Sequence, residues 1–151
     1  MTRLLIAAAT VAGLLTALPA AAQFRNADAA VKYRQSVMQV QGFHLGRIFG
    51  MANGRIPFDA KVAAADAQVL ETAVNLPFIA FVDGTDKVAS SKAKPEIWTE
   101  RAKFDAAAKK TQEDVAKLNA AAKAGNLDAI KAAAGAVGQS CKACHDAFQA
   151  Q

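Results

Sequence analysis

Histidine and cysteine are scarce in this 151-residue chain, two of each, and that scarcity narrows the chemistry available. A structural zinc site wants four nitrogen or sulfur ligands, and beyond the cluster Cys141, Cys144 and His145 only His44 remains. Like-charge runs of five or more are absent and the lysines, Lys61, Lys87, Lys103, Lys109, Lys117 and Lys131 among them, are spread over the whole chain, so the sequence offers no patch for nucleic acid. Runs of β-branched residues are missing, as is any internal repeat, which leaves neither sheets nor a solenoid in view. The one long uncharged apolar stretch, Leu4 to Leu18, is shorter than the roughly 20 residues that span a bilayer and has no basic flank on its far side.

What is present begins with that stretch. Arg3, the apolar run and the small residues Ala20-Ala21-Ala22 have the pattern of a secretory signal peptide cleaved after Ala22, which places the mature protein in the periplasm with no membrane anchor. Residues 23–151 then form a single domain, long enough to bury a core. Without Arg3 its 18 basic residues become 17 against 13 acidic ones, a mild positive excess that reads as a solvated surface.

Alanine is abundant throughout, and Gly and Pro cluster where helices would stop. The spacing predicts a first helix over about 27–51, with Tyr33, Val37, Val40, Leu45 and Ile48 close to one face and Asn53-Gly54 ending it. A second opens at Pro57 and runs until Leu76-Pro77, with Val62, Asp66, Val69 and Ala73 on one face and Ala63, Leu70 and Val74 beside them. Residues 78–94 have no period and form one long connection, a length that is usually functional or mobile. Lys94-Pro95-Glu96 opens a third helix closed by Gly125; Asn126 caps a fourth, in which Ile130, Ala134, Val137, Cys141, Cys144 and Phe148 face the core. The expected fold is all-α, an antiparallel up-down four-helix bundle.

Cys141-Lys142-Ala143-Cys144-His145 is a C-x-x-C-H sequence, the pattern of covalent haem attachment. Thiols three residues apart lie on one side of a helix, where they can add to two vinyl groups along one porphyrin edge, and the next residue can turn its imidazole to the iron as proximal ligand. The haem c reading competes with three others. A thioredoxin-like dithiol sits at the start of a helix in a βαβ unit, whereas this motif lies near the end of the last helix. A disulfide within a regular helix is geometrically awkward and leaves His145 without a role. Zinc lacks ligands, as above.

No Met or His follows His145, so a sixth iron ligand would come from Met38, His44 or Met51. Arg34, Gln35 and Met38 share a face of the first helix about 100° wide. Arg34 suits a haem propionate, Gln35 can add a hydrogen bond, and Met38 would reach over the ring centre. In the absence of a cofactor the same residues read as a solvated face and a core-filling methionine. His44 lies roughly 9 Å further along the axis than Met38 and reads as a surface or packing residue.

These residues together resemble the cytochrome c′ family. The likeness runs over the whole mature chain and rests on Lys32 to Ser36, His44 to Arg47, Leu76-Pro77-Phe78 with Phe81 and Gly84-Thr85, Pro95 to Trp98, and Cys141 to Asp146. The resemblance implies a periplasmic, commonly homodimeric, four-helix bundle that is not an enzyme. One covalent haem would have a five-coordinate high-spin iron that binds nitric oxide (NO) and carbon monoxide (CO) and exchanges electrons with redox partner proteins. It implies thioethers at Cys141 and Cys144, His145 as proximal ligand, propionate contacts at Arg34 and Gln35, and Met38 as distal residue. Two departures stand out. The family often has a basic residue near the proximal imidazole where this chain has Gln149, and Met38 is compatible with a low-spin relative of the bundle class whose first-helix methionine ligates the iron and blocks gas entry. A thiol-disulfide oxidoreductase using Cys141 and Cys144 is the alternative from another class, and a peroxidase-like enzyme would need distal acid-base groups that this face does not offer. Phe24, Phe43 and Phe49 are candidates for a dimer seam between first helices.

Overall fold

Three of the four long helices start where a side chain closes the open N–H groups of the first turn. Asn26 Oδ1 accepts from Ala29 N at 2.8 Å to begin α1 (Ala27–Ala52), Asp59 accepts from Lys61 and Val62 to begin α2 (Ala60–Ala73), and Asn126 accepts from Ala129 N at 2.9 Å to begin α5 (Leu127–Phe148). Between them lie a one-turn α3 (Glu96–Thr99) and the long α4 (Arg101–Lys123). α1 packs on α2, α2 on α4, α4 on α5 and α5 back on α1. That closed ring is the antiparallel four-helix bundle expected from the sequence. The computed structural model describes residues 23–151; the signal-peptide segment, residues 1–22, lies outside the described residues.

Several local expectations are corrected. Pro57 does not open α2, because Asp59 supplies the cap two residues later, and α2 stops at Ala73 rather than running to Leu76. Pro77 cannot donate to an α-helical ladder, and Leu76–Ala80 forms a short 3-10 helix instead. The third helix is broken at Glu100, whose φ of −117° and ψ of 42° separate α3 from α4. The inward stripe of α1 is also rotated from the expected one, since Val31, Arg34, Ile48 and Met51 are buried while Val40 is 46% exposed. Gly125 does end α4 in the left-handed region, at φ 68°, with its N–H on Ala122 O.

The core has two parts. Ile48, Leu70, Val115, Leu118, Ile130 and Val137 fill the bundle, with Cys141 packed against them. Phe81, Ile97, Phe104 and Phe148 form an aromatic-rich second cluster, against which Met38, Phe78 and Cys144 pack. Ring centroids of Phe81 and Phe104 lie 4.9 Å apart, and those of Phe104 and Phe148 lie 5.4 Å apart, edge to face. The long connection supplies Phe78, Phe81 and Ala93 to this cluster, so it is a wall of the domain.

Asp114 is buried on α4 facing α5. Burial alone would raise its pKa, but hydrogen bonds from Lys110 and Ser140 and the charges of Lys110 and Lys117 outweigh it and hold the carboxyl below its ordinary value. A depressed native pKa contributes stability above the unfolded pKa, near 4, and that contribution is lost as pH falls through the native value. Asp114→Asn is therefore expected to lower stability by about 1–2 kcal/mol at pH 7. The gap from the parent should narrow below pH 4, as read by urea unfolding at the two pH values.

Candidate functional site

The C-x-x-C-H segment occupies the last two turns of α5, where its i, i+3 thiols turn inward between the two parts of the core. Cys141, Cys144 and His145 line one cavity of about 230 Å³. Its walls are apolar, with Leu45, Leu70, Val74, Phe78, Phe104 and Val137 among them, and α1 contributes Arg34, Gln35 and Met38. The structure thus brings together all six residues singled out in the sequence. Both thiols are free and half-buried, and the His145 side is exposed.

Burial, and then the Asp114 carboxylate, pushes the Cys141 thiol up; burial, and then Cys141, pushes up that of Cys144. Dithiol oxidoreductases need the opposite, a thiolate favoured at a helix N-terminus. Here the pair lies at the C-terminal, partially negative end of α5, so the geometry does not favour the oxidoreductase reading. Among the described residues no three His, Cys, Asp or Glu side chains converge as a metal site, which leaves the zinc reading without ligands.

Arg34 has more to do than the sequence suggested. It is buried, and its two terminal nitrogens donate to Ala80 O (3.0 Å), Thr85 Oγ1 (2.8 Å), Thr85 O (3.3 Å) and Ser91 Oγ (2.8 Å), while the guanidinium lies 4.3 Å over the Phe81 ring. Burial, opposed by the Asp86 charge, pushes its pKa down to about 10, so it is charged at neutral pH. Four of its five N–H groups anchor the long loop, and only Nε is without a partner among the described residues. Gln35, one residue on, is exposed and donates to Ser90 O at 2.8 Å. Lys92 lines the cavity, whereas Lys94 reaches the end of α5.

Two other side chains of α1 are accounted for. Gln41 also lines the cavity, but its amide donates to Ala73 O at 2.8 Å and ties α1 to the end of α2. His44 lies outside the cavity lining and pairs through Nδ1 with buried Asp66 at 2.7 Å, with Arg47 Nε 3.3 Å from the other carboxylate oxygen. Sequence reasoning missed Arg34's loop acceptors, the Asp66 pair and Phe104's place in the wall. A signal for the first was available: Arg34 is three residues after Val31 and four before Met38, on an inward stripe where a guanidinium must find acceptors.

Two conditions for a covalently held haem are met by these residues: an apolar cleft bounded by both thiols and an imidazole, and polar groups (Gln35, Lys92) at its edge. Comparison with known proteins agrees. A family model described as Cytochrome C' matches residues 29–149. Cytochrome c' of Rubrivivax gelatinosus is 46% identical over 127 residues, covering 84% of this chain and 98% of that protein. Its crystal structure superposes with a TM-score of 0.81, covering 84% of this chain and 99% of the other. Structures of cytochrome c prime variants from Alcaligenes xylosoxidans, one ferrous with bound NO and one with bound CO, are each 43% identical with TM-scores of 0.79. Each covers 85% of this chain, and the matches span 98% and 99% of those chains respectively. The chain therefore belongs to the cytochrome c′ family, the four-helix-bundle proteins that carry covalent haem c.

Proposed function

We propose that the protein is a periplasmic gas-binding and electron-transferring haem protein, with thioethers at Cys141 and Cys144 and His145 as proximal ligand. The observation that carries this reading is the placement of both thiols, the imidazole and Met38 around a single apolar cavity. Haem, when bound, supplies an iron that can take a diatomic ligand or change by one electron. The protein's part is to hold and shield it. Leu70, Val74, Phe78 and Phe104 would exclude water, while Gln35, Lys92 and Arg34 would serve the propionates from the cavity edge.

Met38 belongs to the distal side of this reading, where its side chain packs on the Phe81–Phe104 cluster and its unbranched thioether would have to move aside for NO or CO. Solved relatives that carry bound NO and CO support gas binding by this chain. No catalytic acid or base is assigned there, because Gln41 is engaged with Ala73 O and His44 with Asp66. The runner-up reading, Met38 as sixth ligand in a low-spin electron carrier, rests on the same placement. Optical spectra of the ferrous protein with and without CO separate the two. A broad high-spin spectrum that shifts with the gas is expected; sharp low-spin bands indifferent to CO would make Met38 a ligand.

Export through the 1–22 segment and homodimerisation complete the proposal. Of the three aromatics suggested for a dimer seam, Phe43 is 62% exposed beside exposed Val40. Phe49 instead packs on the bundle core and Phe24 on Tyr33, with ring centroids 5.3 Å apart. The seam is thus narrowed to Val40 and Phe43, and a monomer in sedimentation at micromolar concentration would count against it.

A further inference from the structure

Beyond His145 the last helix has three carbonyls with no intrahelical donor, those of Asp146, Ala147 and Phe148, since Gln149 N already serves His145 O at 2.9 Å. A single residue of the long loop takes all three. Lys94 Nζ donates to Asp146 O at 3.0 Å and Ala147 O at 3.3 Å, and Lys94 N donates to Phe148 O at 3.0 Å. On the other side of Ala93, Lys92 O accepts from Ala150 N at 2.8 Å, so Ala93 and Gln149 form an isolated antiparallel bridge. The ammonium also sits at the negative end of the α5 dipole.

The same segment is tied to α1. Ser91 Oγ accepts from Arg34 at 2.8 Å and from Ala93 N at 3.2 Å. A continuous path of hydrogen bonds therefore joins the helix that bears Met38 to the turn that bears His145.

We propose that Lys94 is a positioning residue for His145, the clasp of a Ser91–Lys94 strap that locks the final turn of α5 and so fixes the direction of the imidazole. The inference rests on the reading of His145 as proximal ligand. The last turn of a helix ordinarily frays. His145 sits three residues from that end on an exposed surface. Once clasped, the turn moves with α1 and the loop, and fluctuations of the ring plane against the iron are damped. The thioether residues Cys144 and Cys141, one and four residues further in, are held separately by packing on the two parts of the core.

The test uses the haem-loaded full protein with Lys94→Met, which keeps the apolar stem, and Lys94→Arg, which keeps a cationic donor. Two quantities are read: hydrogen exchange of the Gln149 amide and the iron-histidine stretching band of the ferrous protein. Lys94→Met is expected to speed Gln149 exchange about three- to tenfold, the worth of charge-assisted hydrogen bonds at a partly exposed site, and to shift or broaden the stretching band. Lys94→Arg should restore both. Faster exchange with an unmoved band would reduce Lys94 to an ordinary helix cap and overturn the proposal, as would no change in either. Absence of the band from the unmodified, haem-bearing protein would instead overturn the proximal-ligand reading, and the inference with it.

Discussion

Replacing both Cys141 and Cys144 by alanine is expected to give a protein from which acidified organic solvent extracts all haem, where the parent retains all of it. The loss should reach the fold. The cavity these residues border is about 230 Å³, and an unfilled core void costs about 24 cal/mol per Å³. A fully closed and rigid void of that size would cost on the order of 5 kcal/mol; because this one opens to solvent at Gln35 and His145, about 3 kcal/mol is the better expectation. Urea unfolding of the double variant purified free of haem, against the haem-loaded parent, measures the difference. A variant as stable as the parent would mean that the cavity is not the cofactor's place in the core.

The second large effect is expected from Arg34→Met. That change keeps the apolar stem of the side chain and deletes the donors that hold Ala80 O, Thr85 O, Thr85 Oγ1 and Ser91 Oγ. Four acceptors around a buried position lose a charged partner together, and a loss of about 3 kcal/mol is expected, since hydrogen bonds to charged groups contribute roughly 1.5–3 kcal/mol and their deletions do not add. Lys at this position should rescue little, because one ammonium cannot span acceptors on both sides of a planar fork. Limited proteolysis should cut first between Asp83 and Ser91, the segment set free. Denaturation with a loss below about 1 kcal/mol would show that the loop is held by the aromatic cluster alone.

How much of this was legible beforehand follows from the range of the interactions. Capping at Asn126 and termination at Gly125 are local, and the sequence showed both. The C-x-x-C-H motif is local too, so the side of α5 that carries the chemistry was clear from its spacing. The inward stripe of α1 was not: Tyr33, Val37 and Val40 suggested one face, but burial of Arg34 rotates the helix, and a buried arginine is intelligible only with Thr85 and Ser91, more than fifty residues away. Gln149 was singled out as a missing charge near the proximal imidazole. In the structure its backbone pairs with Ala93, a contact that no periodicity in residues 78–94 could have disclosed.

The break between α3 and α4 has a similar origin. Read alone, Pro95 to Gly125 keeps an almost unbroken helical period. Ile97 and Phe104 must nevertheless both reach the aromatic cluster formed with Phe81 and Phe148, and the bend at Glu100 accompanies that arrangement. Tertiary packing thus overrides a sound local pattern.

If one haem is held covalently by Cys141 and Cys144 next to His145, tandem mass spectrometry of a protease digest of the purified, haem-loaded protein will find it there. A single haem on the peptide containing Cys141 to His145, attached through both sulfurs and accompanied by no free thiol, is the predicted result. Haem lost on denaturation, with Cys141 and Cys144 recovered as thiols or as a disulfide, would contradict it.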